Sequence, residues 1–113
     1  MADNVGDVLQ RLFDVIKGRR MADPKESYVA AQLAGGKERV GQKVGEEAVE
    51  TVIAGVTGDK DGLICESADL LFHLMILWEV NGVNPVDVCR ELQRRQGVSG
   101  LESRRARKGQ PSS

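Results

Sequence analysis

The segment from Leu63 to Trp78 most constrains the fold, because as a helix it is apolar on nearly every side. Its apolar residues are Leu63, Ile64, Leu70, Leu71, Phe72, Leu74, Met75, Ile76, Leu77 and Trp78. A helix that is apolar all round is normally buried. Glu66 and Asp69 nevertheless lie within this segment. Because burying an unpaired carboxylate is costly, such groups pair, take up a proton or bind a metal.

A second acidic pattern lies earlier, where Gln42 to Glu50 reads Q-K-V-G-E-E-A-V-E. At about 100° per residue, Glu46, Glu47 and Glu50 fall on one helical face with Lys43, and valines occupy the opposite face. Together the segments read E-E-x-x-E and E-x-x-D. Oxygen ligands without a Cys/His set favour Mg²⁺ or Mn²⁺. Salt bridges to Lys or Arg are the alternative, and few basic residues are interleaved to supply them.

The periodicity of apolar residues predicts an all-α fold, a small bundle of four to five helices. We expect helices over residues 5–17, 24–33, 37–56, 61–80 and 85–96. Asp23 and Pro24 are the start signal of the second helix, with Glu26 completing a capping box. In the third helix, Gly41 and Gly45 either permit close approach of a ligand or helix, or Gly41 belongs to a lead-in before the helix begins.

The composition favours one small domain, residues 1–103, followed by a basic tail, residues 104–113. The tail contains Arg104, Arg105, Arg107 and Lys108; a solvated tail is preferred over contact with phosphates or RNA. The net charge of −1 gives no indication of nucleic-acid binding. We predict a cytoplasmic protein, since no apolar run is long enough to span a membrane and no secretory signal is evident.

Two facing acidic helices would repel each other unless a divalent cation lay between them, and open metal positions suit phosphate oxygens. The residues therefore predict metal-dependent hydrolysis of a phosphoanhydride. Lys43, Lys37 and Arg39 are candidate phosphate contacts, with surface charge as the alternative for each. Tyr28 can stack on a base or simply pack. His73, four residues after Asp69, is either a hydrogen-bond partner of the acidic site or a core histidine.

Several longer stretches resemble one family. They are Ser27-Tyr28-Val29-Ala30, the run from Gln42 to Ala54, the run from Glu66 to Leu74, and Gly97 to Glu102. They are similar to the phosphoribosyl-ATP pyrophosphatase family of histidine biosynthesis, within the all-α MazG-like nucleoside triphosphate pyrophosphohydrolase superfamily. The resemblance covers roughly residues 7 to 104. Val29, where the family often has Thr, and Ser103, where it often has an acid, depart from the pattern.

This resemblance implies the second step of L-histidine biosynthesis. Phosphoribosyl-ATP and water would give phosphoribosyl-AMP and pyrophosphate, with Mg²⁺, or Mn²⁺ as the alternative ion, in a homodimer. Candidate catalytic residues are Glu46, Glu47, Glu50, Glu66 and Asp69, and all of these except Glu46 are candidate metal ligands. The first alternative is a house-cleaning pyrophosphohydrolase acting on free nucleotides. The second is a non-catalytic, metal-stabilised helical interaction module. A dimer also follows from the apolar helix, which needs more cover than its short neighbours offer.

Overall fold

The computed structural model describes residues 4–96. These residues form five α-helices and one short 3₁₀ helix (Arg19–Met21), and none of them is in a strand. The α-helices are α1 (Val5–Gly18), α2 (Tyr28–Ala34), α3 (Gly36–Val56), α4 (Lys60–Val80) and α5 (Pro85–Arg95). The predicted all-α class is confirmed. Gly97 to Glu102, Ser103 and the basic tail lie outside the described residues, so the predicted domain limits stay a prediction.

The start of α2 differs from the prediction, which was wrong in beginning this helix at Pro24. The carbonyl oxygen of Asp23 accepts from the backbone N–H groups of Glu26 and Ser27, at 2.9 and 3.0 Å, and closes a single turn. Ser27 then adopts an extended backbone, with φ −126° and ψ 121°, and its side chain caps the N–H of Ala30. Two capping signals four residues apart compete here. The second one begins the helix.

Glycine determines where α2 ends and α3 begins. Gly36 has φ 86°, a conformation that residues with a Cβ atom rarely adopt. Because α3 starts there, the interpretation of Gly41 as a lead-in before the helix was wrong. A Cβ atom added at Gly41 or Gly45 would meet nothing within 4 Å, so neighbouring groups in the described chain do not require glycine at either position.

Residues 4–83 form one compact unit, and α5 belongs to a second. In the first unit, the most extensive packing between helices joins α3 and α4. The core cluster draws residues from α1, α2, α3 and α4: Phe13, Ile16, Val29, Val40, Met75 and Ile76. In the second unit, Arg94 and Arg95 bond to Glu91 and lower its pKa to about 2.

The apolar surface of α3 and α4 is only partly covered in the described single chain. Ile64 is 69% exposed, and Leu71 is also exposed. On α3 an exposed apolar stripe, defined as Val49, Val52, Ile53 and Val56, follows helical spacing. Glu47, on the same helix, is buried instead. Val40, near the start of α3, lies in the core, whereas in the second half of the helix the stripe faces away from the core and Glu47 faces inward.

An ion pair between the exposed side chain of Arg20 and the buried carboxylate of Glu79 joins the 3₁₀ helix to the end of α4. Glu79 is 5% exposed, and its Oε1 accepts from Nη1 of Arg20 at 2.7 Å. We expect Arg20→Met to lower the free energy of unfolding by about 2 kcal/mol, because a buried carboxylate loses its donor. This corresponds to a fall in Tm of about 10 °C, measurable by circular dichroism. Arg19→Met, at the exposed neighbouring position, is the control; equal losses would contradict the prediction.

No helix within residues 4–96 combines the length and the hydropathy needed to cross a membrane. The cytoplasmic location stays a prediction.

Candidate metal centre

Three carboxylates meet between α3 and α4. Glu47 comes from α3, and Glu66 and Asp69 come from α4. One oxygen atom of each lies within 4.8 Å of the others. The two acids of α4 are three residues apart and so project from the same side of the helix. The packing of α3 against α4 thus brings together acids that are far apart in the sequence.

The burial of these carboxylates leaves oxygens unsatisfied. Glu47 is 8% exposed. With the acids ionised, Oε2 of Glu47 and Oε2 of Glu66 are buried and find no hydrogen-bond donor among residues 4–96. An unsatisfied buried charged group costs free energy that a donor or a cation would recover. All three ligand groups offer hard oxygen atoms, which is the donor set that Mg²⁺ and Mn²⁺ take. The residues present therefore fit a divalent cation.

The electrostatics of Glu66 reflect the crowding of negative charge. A hydrogen bond with Glu50, formed when one of the two carboxyls is protonated, raises the pKa of Glu66 above its usual value. Burial and the charges of Glu50, Glu47 and Asp69 raise it further. Like charges in close proximity disfavour the ionised form. In the absence of a cation, the carboxyl of Glu66 therefore keeps its proton to a higher pH than an isolated glutamate does.

The structure places the remaining acids and bases of α3 around this cluster. Glu50 is exposed and adjoins Glu66. Glu46 is exposed and accepts from Nε2 of Gln42 at 3.2 Å. Nζ of Lys43 lies 3.8 Å from Oε1 of Glu46 and 3.7 Å from Oε1 of Glu47. Salt bridging is therefore present in part, but it does not reach the two unsatisfied Oε2 atoms.

Lys37 and Arg39 are exposed near the start of α3. Neither belongs to the three-carboxylate cluster. They lie on the same helix as Lys43, ahead of it in the chain.

Tyr28 and His73 connect α2 to the acidic site. The Tyr28 hydroxyl lies 2.7 Å from Nε2 of His73, and Nδ1 of His73 lies 2.8 Å from the backbone oxygen of Asp69. His73 is 6% exposed, whereas Tyr28 is 50% exposed. The two interpretations of His73 from the sequence therefore coincide: it is buried, and it bonds to a residue of the acidic site.

A cavity of about 280 Å³ adjoins the cluster where α3 ends and α4 begins. Glu50, Glu66, Ile53, Thr57 and Asp59 are among the residues that line it. Thr57 and Asp59 are not among the site residues predicted from the sequence. The only signal at Asp59 is its place before α4, where its side chain accepts from the N–H of Gly62 at 2.9 Å. A separate cavity of about 250 Å³ is lined by residues outside the acidic cluster, among them Arg20 and Leu33.

Comparison with known proteins decides the family. The model of the family described as phosphoribosyl-ATP pyrophosphohydrolase matches residues 9–96, which hold the whole acidic cluster. The chain belongs to the phosphoribosyl-ATP pyrophosphohydrolase family. The resemblance noted in the sequence is thereby confirmed, and with it the predicted enzyme class, a phosphoribosyl-ATP diphosphatase of histidine biosynthesis.

Individual relatives agree with the family match. The phosphoribosyl-ATP pyrophosphatase of Rhizorhabdus wittichii is 54% identical over 99 residues, 88% of this chain and 93% of the relative. That of Azospirillum brasilense is 50% identical over 101 residues, 89% of this chain and 91% of the relative. That of Granulibacter bethesdensis is 50% identical over 105 residues, 93% of this chain and 66% of the relative. The similarity therefore extends across most of the chain.

Proposed function

We propose that the chain hydrolyses phosphoribosyl-ATP to phosphoribosyl-AMP and pyrophosphate at a Mg²⁺ centre held by Glu47, Glu66 and Asp69, with Glu50 beside them. One observation carries this proposal. Within the three-carboxylate cluster, one buried oxygen of Glu47 and one of Glu66 have no hydrogen-bond donor among the described residues. The cluster lies in the part of the chain that matches the family. A cation that removes the mutual repulsion of these carboxylates also supplies an electrophile for phosphate. Mn²⁺ takes the same oxygen ligands.

Bound Mg²⁺ would neutralise charge on the phosphate oxygens of the substrate. The protein residues do the rest. Glu47, fixed by burial on α3, and Asp69 on α4 hold their oxygens at a set separation. Glu50 is exposed and adjoins Glu66, so we assign to its carboxylate the task of taking up the proton of the attacking water. Glu46 lies outside the cluster, and its role is to orient Lys43 through their contact at 3.8 Å.

Lys43 is the basic residue that we assign to the substrate phosphates. Its Nζ lies between the buried Glu47 and the exposed Glu46. A small rotation of the flexible side chain would therefore move Nζ from a carboxylate to a phosphate of the substrate. Lys37 and Arg39 stand earlier on α3 and are exposed. We assign them the weaker task of attracting the highly charged substrate.

We also propose that the functional form is a homodimer, with a second copy of the chain covering the α3 stripe. The stripe is unusual because its apolar side chains are exposed while Glu47, an acidic residue of the same helix, is buried in the protein. Ile64 and Leu71 of α4 add further exposed apolar area. Apolar patches of this kind mark association surfaces. A second copy of the chain would also bury the exposed apolar residues of α4.

Substrate choice is the experiment that tests the proposed reaction against its alternatives. Purified protein with Mg²⁺ is offered phosphoribosyl-ATP and, separately, ATP, GTP, dUTP and dCTP, and the release of pyrophosphate is measured. We expect turnover of phosphoribosyl-ATP to exceed that of any free nucleotide by at least about 100-fold in kcat/KM. That ratio corresponds to about 2.7 kcal/mol of transition-state binding from the second ribose phosphate.

Two results would overturn this proposal. Faster turnover of a free nucleotide would favour the house-cleaning pyrophosphohydrolase. A rise in Tm with Mg²⁺ and no pyrophosphate from any substrate would favour the metal-stabilised interaction module. Chelation by EDTA is the control, since it should remove both the activity and the rise in Tm.

A further inference from the structure

Tyr28, His73 and Asp69 form a chain of hydrogen bonds with a defined direction. The backbone oxygen of Asp69 can only accept, so Nδ1 of His73 carries the proton in the 2.8 Å bond to it. In the neutral ring, Nε2 is then the acceptor. The Tyr28 hydroxyl donates to it at 2.7 Å. The chain therefore begins at the exposed tyrosine and ends on the main chain of an acidic residue of the metal centre.

The rings around this chain restrict its geometry. Tyr28 stacks on Phe72 with ring centroids 6.1 Å apart and an angle of 27° between the planes. His73 meets the edges of both neighbours, at 5.7 Å from Tyr28 and 5.3 Å from Phe72. Because His73 is almost fully buried, its ring has little freedom to turn once both nitrogens are bonded. The tyrosine hydroxyl thus selects one orientation and one tautomer of the histidine.

We propose that Tyr28 is a positioning residue for Asp69, acting through the His73 ring on the turn of α4 that carries Glu66 and Asp69. The proposal rests on the proposed metal-dependent hydrolysis. Asp69 is exposed and its carboxylate needs support from elsewhere to keep one position opposite Glu47. The bond from His73 holds the main chain of that residue from the buried side. Hydrogen bonds that orient metal ligands affect metal affinity and rate although the bonding group touches neither metal nor substrate, and we expect the same of a bond that fixes the backbone of the residue carrying the ligand.

The open ring face of Tyr28 raises a competing role, direct stacking on the adenine of the substrate. The two roles use different parts of one side chain. Positioning needs the hydroxyl and predicts an effect on kcat and on the dependence on Mg²⁺. Stacking needs only the ring and predicts an effect on KM. Tyr28→Phe removes the hydroxyl and keeps the ring, so it separates them.

We expect Tyr28→Phe to lower kcat about 10-fold and to raise the Mg²⁺ concentration for half-maximal rate by a similar factor. KM for phosphoribosyl-ATP should stay within about twofold of the wild-type value, because the ring is retained. Mg²⁺ binding without substrate, followed by the rise in Tm, should weaken in parallel. A lower Tm with unchanged kcat and Mg²⁺ dependence, or a change in KM alone, would overturn the proposal.

His73→Gln supplies the second test. An amide oxygen in place of Nε2 still accepts from the Tyr28 hydroxyl, but the donor to Asp69 is lost. If Tyr28 acts only through His73, adding Tyr28→Phe to His73→Gln should cause no further loss of kcat, a non-additive result in the double-mutant cycle. A further 10-fold loss in that background would contradict positioning. The wild type is measured in the same assay. If the wild type does not hydrolyse phosphoribosyl-ATP, the proposed reaction fails; if it does and the variants depart from these expectations, only the positioning role of Tyr28 fails.

Discussion

Asp69→Asn is expected to lower the Mg²⁺-dependent hydrolysis of phosphoribosyl-ATP by about 100-fold or more. A bound metal contributes several kcal/mol to a reaction of this kind, and each 1.36 kcal/mol is a factor of ten in rate. The amide keeps the size of the side chain but removes a full negative charge from the three-carboxylate cluster. Pyrophosphate release at saturating substrate, titrated with Mg²⁺, measures the loss.

The same substitution should not destabilise the metal-free protein. The charge of Asp69 is one of those that raise the pKa of Glu66, so removing it relieves repulsion. In EDTA we therefore expect the Tm of Asp69→Asn to equal or exceed that of the wild type, whereas the rise in Tm on adding Mg²⁺ should largely disappear. Asp61→Asn, in the first turn of the same helix, is the matched control and should retain both activity and the Mg²⁺ effect.

Two outcomes would contradict this assignment. Full activity in Asp69→Asn would place the metal elsewhere. A large fall in Tm in EDTA would show that the carboxylate stabilises the fold in the absence of metal, and loss of activity would then say nothing about catalysis. Glu47→Gln, compared with Glu38→Gln on the same helix, repeats the test from the α3 side of the cluster.

Val52→Glu is expected to convert the proposed dimer into a destabilised monomer. Val52 lies in the middle of the α3 stripe and is 61% exposed in the single chain. In a monomer, a substitution at so exposed a site would change stability by no more than about 0.5 kcal/mol. If a second copy covers the stripe, the substitution buries an unpaired carboxylate at the interface, which costs several times that amount. Light scattering at micromolar concentration should give the monomer mass, and Tm should fall.

Val5→Glu is the control for this experiment, because Val5 is exposed near the start of α1 and outside the stripe. It should leave the mass and the Tm close to those of the wild type. Since subunit association stabilises the folded state by mass action, the Tm of the wild type should also rise with protein concentration, and that of Val52→Glu should not. A monomeric wild type, or a Val52→Glu variant that is dimeric and unchanged in Tm, would rule out the proposed interface.

Prediction from the sequence succeeded where the signal was local. The all-α class, the long helices α3 and α4, and the start of α5 at Pro85 follow from helical periodicity and capping residues. At α2 two local signals competed, and the extended backbone of Ser27 placed the start of the helix four residues after Pro24. Propensity rules do not rank two adjacent caps. In the structure, the helix that begins at Tyr28 places Val29 in the core cluster.

For the candidate site, only the residue types could be predicted from the sequence, and not their arrangement in space. Spacing indicates that Glu66 and Asp69 project from one side of α4, because three residues are close to one turn. It does not tell which of Glu46, Glu47 and Glu50 faces them. Helix packing brings Glu47 into the cluster, sets Glu50 beside Glu66 and leaves Glu46 at the surface. The bond from Tyr28 to His73 spans 45 residues, and periodicity carries no information at that distance.

By itself, the amino-acid sequence determined that this chain is helical, that it carries five acids in two helical patterns, and that it resembles the family to which it belongs. Those properties depend on hydrogen bonds and spacings within a few residues. Tertiary structure alone decided which acids share a site and that the α3 stripe remains exposed while Glu47 faces inward. The reason is that a helix has several faces, and only its packing against another helix selects the one that is buried.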